Sequence, residues 1–321
     1  MTTTMTTEVA RGTITIGTRG SKLALVQTEL VRAALLTHYP GLTVAVERIT
    51  TRGDVILDRS IASAALDDKG LFVAEIEAAL RDGRIDLAVH SAKDLPSTLS
   101  ADMTVAAWTA RADPRDVLIS RVGTLAELPP GARVGTSSPR RACQLRAQRP
   151  DLLISDIRGN VDTRLRKLSE GDYDAIVLAA AGLARLGLSA VITAPFEPDE
   201  MLPAVGQGAL ALETRADDPL MAQLLAPLAD QATTQAVRAE RAFLAAVGGG
   251  CSAAVAAYAG TLDGGGLSLS GLIGAIDGQI VRGERFGRAE QAEQLGATLA
   301  TELLAQGGSA LLRSPEDSSG A

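Results

Sequence analysis

The chain has 321 residues, is 46% hydrophobic and carries a net charge of −7, which suits two or three domains with sizeable interiors. Only four Phe, three Tyr and one Trp are present, so those interiors are Ala, Leu, Val and Ile, and few rings remain to stack bases. With the acidic balance, this disfavours a nucleic-acid partner. Cys143 and Cys251 match no CxxC or zinc spacing, and two histidines are too few for a histidine-rich metal site. A disulfide framework is therefore not expected, which fits a reducing cytoplasm. The opening MTTTMTTEVARG is not a signal peptide. The apolar run at 175–184 stops at Arg185, short of the ~20 residues a membrane helix needs.

From residue 13 onward, β-rich runs alternate with helical patterns. TITIG leads through TRGS into a helix with Leu23, Val26, Leu30, Val31, Ala34 and Leu35 on one face. IDLAVH then runs into SAKDLP, ARVGT into SSPRR, LLISDI into RGNVDTR, and DAIVLAA into AGLAR. Strand-loop-helix units of this kind imply parallel, doubly wound sheets whose ligands sit at the carboxyl ends of the strands. Toward the C-terminus, QATTQAVRAERAFLAAV reads as a helix and AVAAYA as a strand. LSLSGLIGAI and QIVRGERFG flank an Asp277-Gly278 turn, which predicts a hairpin, and a helix over roughly 289–306 follows. This last part is a small antiparallel α+β domain.

Charge is segregated along the chain. Residues 133–167 hold nine Arg or Lys against three Asp, a local charge of +6 in an acidic protein, and such segregation points to an anionic ligand. In GTSSPRRACQL, Ser138 suits the N-cap, Pro139 the first helical position, and Arg140 and Arg141 the first turn. Cations are disfavoured there by the helix dipole unless an anion neutralises them. Arg158 and Arg164 flank a second strand-end loop, Arg19 lies in a third, Arg185 just beyond a fourth and Lys93 in a fifth. Arginine suits carboxylates because its planar fork grips them bidentately. Arg146, Arg149 and Arg166 read as solvated bystanders.

Asp94 is the one carboxylate in a strand-end loop that also carries Ser91 and Lys93, a place to handle protons or a developing cation. Cys251 follows three glycines and is placed like a reactive or attachment thiol, whereas Cys143 sits within a helix. Three motifs are decoys. GTRGSK has its glycines too close together for a phosphate loop. GQGALA is followed by alternating ALALE where a dinucleotide fold needs a helix. His90 ends an apolar strand and reads as a packed core residue with its nitrogens satisfied.

These segments carry a signature. IGTRGSKLAL, the Lys-Gly-Leu-Phe of residues 69–72, AVHSAKDLP, GTSSPRRACQL, IRGNVDTRL, YDAIVLAAAGLARLG, LPAVGQGALALE and GGGCSAAVAAYA occur in that order, and the chain resembles the porphobilinogen deaminase (hydroxymethylbilane synthase) family from about residue 13 to beyond residue 300. The resemblance implies an α/β fold of two doubly wound, periplasmic-binding-protein-like lobes plus a small C-terminal α+β domain. The first lobe would span 12–110 with 206–228, the second 111–205, and the third domain 229–321. It implies a cytoplasmic, monomeric transferase of tetrapyrrole (haem) biosynthesis. Its substrate is porphobilinogen, with no nucleic acid or membrane as partner.

The resemblance also implies a dipyrromethane cofactor bound by a thioether to Cys251. Four porphobilinogen molecules are deaminated and joined head to tail on it, and hydroxymethylbilane is released. Each pyrrole carries an acetate and a propionate, so a growing chain calls for a tract of arginines. By motif, Asp94 is the catalytic residue, hydrogen-bonding pyrrole N–H groups and stabilising cationic intermediates. Ser91, Lys93, Thr136, Ser138, Arg140 and Arg141 would hold the cofactor. Arg19, Ser21, Gln27, Lys69, Phe72, Arg158, Arg164, Arg185 and Gln207 would hold substrate or the extending chain, with Lys69 and Phe72 in a loop over the cleft between the lobes. Asp67-Asp68 departs from the glycine pair often found before that segment, and Ala254 stands where proline is common. The competing reading is a non-enzymatic, two-lobed binding protein for a small polycarboxylate, which gives Cys251 and the third domain no task.

Overall fold

The computed structural model describes residues 12–51, 73–248 and 254–312. Cys251, Lys69, Phe72 and the Asp67-Asp68 pair lie outside them. In chain order the first segment runs β1 (Thr13–Arg19), α1 (Lys22–His38), β2 (Thr43–Ile49), α2 (Ala74–Arg81), β3 (Leu87–Ser91) and β4 (Met103–Trp108). There follow β5 (Asp116–Ser120), β6 (Arg133–Gly135), α3 (Pro139–Gln148), β7 (Leu153–Ser155), α4 (Val161–Glu170), β8 (Ala175–Ala179), α5 (Ala180–Arg185) and β9 (Ala194–Pro195). Next come β10 (Leu210–Arg215), α6 (Pro219–Leu225), α7 (Gln231–Val247), β11 (Ala254–Leu262), β12 (Gly266–Gly274), β13 (Ile280–Arg288) and α8 (Ala292–Leu303). The chain forms two compact units. One ends its first pass at Ala112 and adds Gly208–Thr234; the other comprises Asp113–Gln207 and the described residues from Gln235 onward.

The first unit is built on a five-stranded sheet ordered β2-β1-β3-β10-β4. β1 pairs in parallel with both β2 and β3, while β10 runs antiparallel to β3 and β4. The parallel arrangement expected from sequence thus holds for three strands. β10 reverses because it enters from the returning chain rather than through a right-handed crossover helix. It is also the strand that follows GQGALA, so the dinucleotide decoy is rejected by the fold. Ile14, Ile16, Val31, Leu35, Leu87, Val89, Leu210 and Leu212 fill the core on one face. On α1 the buried stripe is Gln27, Thr28, Val31 and Leu35. Leu30, expected on that face, is 51% exposed, because a stripe centred on 27, 31 and 35 turns it toward solvent.

The second unit holds a sheet ordered β7-β6-β8-β5-β9, again with the earliest parallel strand, β6, between its two parallel partners. β5 is its antiparallel strand. The same unit carries the antiparallel sheet β11-β12-β13, backed by α7 and α8 around Phe243, Ile273, Leu295 and Leu299. The Asp277-Gly278 hairpin is present. Gly278 takes φ +99°, Ala275 N–H donates to Gln279 O, and Gln279 N–H donates to Asp277 Oδ1. Gly271 on β12 is where the helix layer comes closest: a Cβ there would lie 2.6 Å from the Phe243 ring, which is itself wholly buried. Replacing Phe243 by Ala leaves a ring-sized void against a glycine that cannot fill it. The expected cost is about 3–5 kcal/mol in urea unfolding monitored by circular dichroism.

Candidate active site

In each unit one strand lies between two parallel neighbours reached in opposite directions. That is the topological switch point of an open α/β sheet, at whose carboxyl ends ligands generally bind. In the first unit, β1 ends at Arg19. Ser21 follows as N-cap of α1, its Oγ accepting from Ala24 N–H at 3.3 Å. β3 ends at Ser91 and turns through Ala92–Asp94 as one 3-10 turn. Buried Gln27 donates from Nε2 to Ser91 Oγ at 2.8 Å, which fastens the helix after β1 to the end of β3. Asp94 is exposed, and among the described residues its carboxylate has no hydrogen-bond or ion-pair partner. Arg19, Ser21, Gln27, Ser91, Lys93 and Asp94 are thus brought to the ends of two adjacent strands. His90, one residue earlier, is buried with Nε2 2.9 Å from Glu213 Oε2 on β10, the packed role its sequence suggests.

In the second unit, β6 delivers Thr136 and Ser138 to the start of α3. Thr136 Oγ1 accepts from Ser138 N–H at 3.2 Å, and Ser138 Oγ accepts from Arg141 N–H at 3.4 Å. Arg140 and Arg141 occupy the first turn as expected. The anion that neutralises them is in the chain: Asp116, at the start of β5 and wholly buried. Its Oδ2 lies 2.7 Å from Arg140 Nη1, and its Oδ1 accepts from Arg141 Nη2 and Nε at 2.7 and 3.1 Å. Burial alone would push this carboxyl up; the two guanidiniums outweigh it and hold it well below the usual carboxylate range. Burial pulls Arg140 down.

The two arginines differ in what they have left to offer. Arg141 has all three nitrogens engaged, with Nη1 donating to Val177 O at 2.9 Å. Arg140 uses Nη1 alone, which also donates to Leu202 O at 2.7 Å; its Nε and Nη2 have no partner among the described residues. Arg164, half-buried on α4, donates from Nε to Gly159 O at 2.8 Å and has no ion-pair carboxylate among the described residues. Its pKa falls to about 10, first through burial and then through the charge of Arg141. Arg185, at the end of α5, is pulled down by burial. Arg158 pairs with Asp156 at 2.7 Å in a more exposed setting. Gln207 donates from Nε2 to Pro114 O at 2.7 Å and to Asp116 Oδ1 at 2.9 Å.

One buried carboxylate thus faces two buried arginines, with Arg164 and Arg185 half-buried in the same unit. Cations held this way, with unused donors on Arg140, fit a ligand bearing several carboxylates. Asp116 carries no sequence signal of its own: it lies 24 positions before Arg140, in a strand-initiating DVLIS segment. Two arginines read as solvated are structural. Arg149 is three-quarters buried, donating to Leu125 O and Leu128 O besides pairing with Asp151, because the cap of α3 must bind the preceding loop. Arg146 donates to Ile276 O at 2.6 Å and pins the hairpin loop. Arg166 is exposed and paired with Glu170, as a solvated helix face predicts. Cys143 is buried against that hairpin, its thiol pushed up to about 11 by burial.

A family model described as porphobilinogen deaminase, dipyromethane cofactor binding domain, matches residues 14–223, and one described as porphobilinogen deaminase, C-terminal domain, matches residues 234–305. The chain belongs to the porphobilinogen deaminase family. A porphobilinogen deaminase of Roseiflexus castenholzii is 65% identical over 303 residues, covering 94% of this chain and 99% of its own. One from Bordetella parapertussis is 52% identical over 301 residues, covering 93% and 95%. Membership of this family makes the chain a transferase with a dipyrromethane-binding domain, and that domain takes in the strand ends of both five-stranded sheets. Among the described residues no helix is long and apolar enough to cross a membrane.

The cap on α3 has a stability contribution that can be read on its own. Ser138→Ala removes the acceptor for Arg141 N–H and is expected to cost about 1 kcal/mol in denaturant unfolding, with helix content by circular dichroism otherwise unchanged.

Proposed function

We propose that this chain deaminates four porphobilinogen molecules and joins them head to tail on a covalently held dipyrromethane, releasing hydroxymethylbilane and ammonia for tetrapyrrole (haem) biosynthesis. The observation that carries this reading is the surplus of buried and half-buried cations at the strand ends of the second unit, in a chain matching this family over most of its length. Bound by a thioether to Cys251, the dipyrromethane supplies the free pyrrole α-carbon on which the tetrapyrrole is built.

The chain's own residues divide the work. Arg140 offers Nε and Nη2 to cofactor carboxylates, Arg141 adds charge from behind, and Thr136, Ser138, Ser91 and Lys93 complete the cofactor set. Arg158, Arg164 and Arg185 take acetates and propionates of incoming and added units, and a charge-assisted bond of this type is worth about 1.5–3 kcal/mol. Arg19, Ser21, Gln27, Lys69, Phe72 and Gln207 complete the substrate set. Ser21, whose Oγ accepts from Ala24 N–H, keeps its O–H proton to orient, and Ser91 is held in place by Gln27, accepting from its Nε2 and donating to its Oε1. Asp94, whose carboxylate has no partner among the described residues, accepts hydrogen bonds from pyrrole N–H groups and offsets the positive charge that develops as ammonia leaves.

We place the protein in the cytoplasm as a monomer, with porphobilinogen as partner and no role for nucleic acid or membrane. The composition supports this: few aromatics, a net charge of −7 and two cysteines without a disulfide spacing. The reading as a non-enzymatic polycarboxylate-binding protein is less favoured, because the family match extends through the C-terminal domain that such a protein would not need.

Intact-mass spectrometry tests the assignment. The protein should exceed its sequence mass by two linked pyrrole units and redden acidic Ehrlich reagent, and Cys251→Ala should lose both properties. An unmodified wild-type chain, even after incubation with porphobilinogen, would sink the reading. Asp94→Asn should retain the added mass while kcat falls roughly 10²–10⁴-fold in a porphobilinogen-consumption assay, with little change in KM.

A further inference from the structure

Asp116 takes no part in the chemistry above, yet three separate segments send polar side chains to it. Arg140 and Arg141 come from the first turn of α3, and Gln207 from the segment just before β10. The carboxylate opens β5 and is 0% exposed, so no ligand can reach it directly. Its contacts are one-sided. They occupy Nη1 of Arg140 and leave its Nε and Nη2 unengaged among the described residues, while Nε and Nη2 of Arg141 are both taken by one oxygen. Gln207 approaches that same oxygen and is itself tied to Pro114 O, two residues before Asp116.

Two consequences follow from guanidinium geometry. The fork is planar, so gripping one edge fixes where the other edge points. Two neighbouring guanidiniums in a buried place also repel and would splay without a shared anion. Backbone acceptors add direction on the same side: Leu202 O takes Arg140 Nη1, and Val177 O takes Arg141 Nη1.

Resting on the function proposed above, we propose that Asp116 is the positioning residue of the cofactor-binding arginines. It acts through Arg140 and Arg141 without touching cofactor or substrate, aims the free edge of Arg140 at a ligand carboxylate, and through Gln207 ties that aim to the segment entering β10. The pair then presents one surplus positive charge in a fixed direction instead of two mobile ones.

The test compares variants of the full chain produced with the cofactor-forming substrate available. Asp116→Asn keeps the shape and removes the charge. Leu145→Ala, on the same helix and wholly buried, destabilises α3 while leaving Asp116 and the polar partners of both arginines in place. Thermal unfolding, the fraction carrying the two-pyrrole mass, and kcat and KM of the loaded fraction are measured for each. At comparable loss of thermal stability, Asp116→Asn should load less than a fifth as much cofactor as wild type and show at least a tenfold rise in KM. Leu145→Ala should load and turn over within twofold of wild type once corrected for folded protein. Wild-type loading and KM in Asp116→Asn, or an equal defect in Leu145→Ala, overturns the proposal. If Asp116→Asn does not fold, Asp116→Glu decides: it keeps the charge and moves the carboxylate by one methylene, so loading should still drop at least threefold, and wild-type loading overturns the proposal. A wild-type chain without the two-pyrrole mass would instead refute the function reading, a separate result.

Discussion

Guanidinium groups gathered at half-buried strand ends repel one another and lose hydration, and the second unit is arranged around that cost. At an effective dielectric of about 20, two such charges roughly 5 Å apart repel by about 3 kcal/mol. Asp116 offsets part of this for Arg140 and Arg141, and Asp156 does so for Arg158. Arg164 has no ion-pair carboxylate among the described residues, and its pKa is lowered first by burial and then by the charge of Arg141. A site left short of anions by its own fold gains most when an anionic ligand arrives, so ligand binding and folding stability are linked. That linkage favours a ligand with several carboxylates over one with a single charge.

The sheets explain why the charges can be placed there at all. Each unit sets its first parallel strand between the next two, β1 between β2 and β3 in one and β6 between β7 and β8 in the other. The chain goes from such a strand to a neighbour on one side and then crosses to the neighbour on the other, the topology at whose carboxyl ends ligands settle. Polar side chains gather where the backbone provides room and hydrogen bonds. The antiparallel strand differs in origin: β10 belongs to the returning segment of the first unit, whereas β5 opens the continuous stretch that builds the second sheet. The core beneath is nearly free of rings, and small aliphatic side chains pack the strands.

Much of this was legible because the determinants are local. Ser138-Pro139 before two arginines specifies a capped helix start within four residues, and the structure has that cap. Alternation in ALALE identifies a strand where a nucleotide fold would need a helix, and Asp277-Gly278 identifies a hairpin. The strand-end loops carrying Arg19, Asp94, Arg140, Arg158 and Arg185 were visible for the same reason: a short apolar run followed by a polar cluster is a pattern of a few residues. What failed were inferences needing a third dimension. Leu30 belongs to an apolar pattern and faces solvent, and Arg146 and Arg149 belong to a charged pattern and hold backbone carbonyls.

By itself the sequence determined the alternation of strands and helices, the ligand class and the residues that could meet it. Each of these depends on side-chain chemistry over short spacings or on long ordered motifs. Only the tertiary structure decided which cations are neutralised within the chain. Asp116 meets Arg140 and Arg141 across two sheet elements and Gln207 across 91 positions of sequence, and Asp-to-Arg pairing at such separations leaves no periodic trace. It also decided that, among the described residues, Arg140 keeps an open edge while Arg141 does not. The reason is physical: a guanidinium's remaining donors depend on the directions from which its partners approach, and those directions exist only once the strands are side by side.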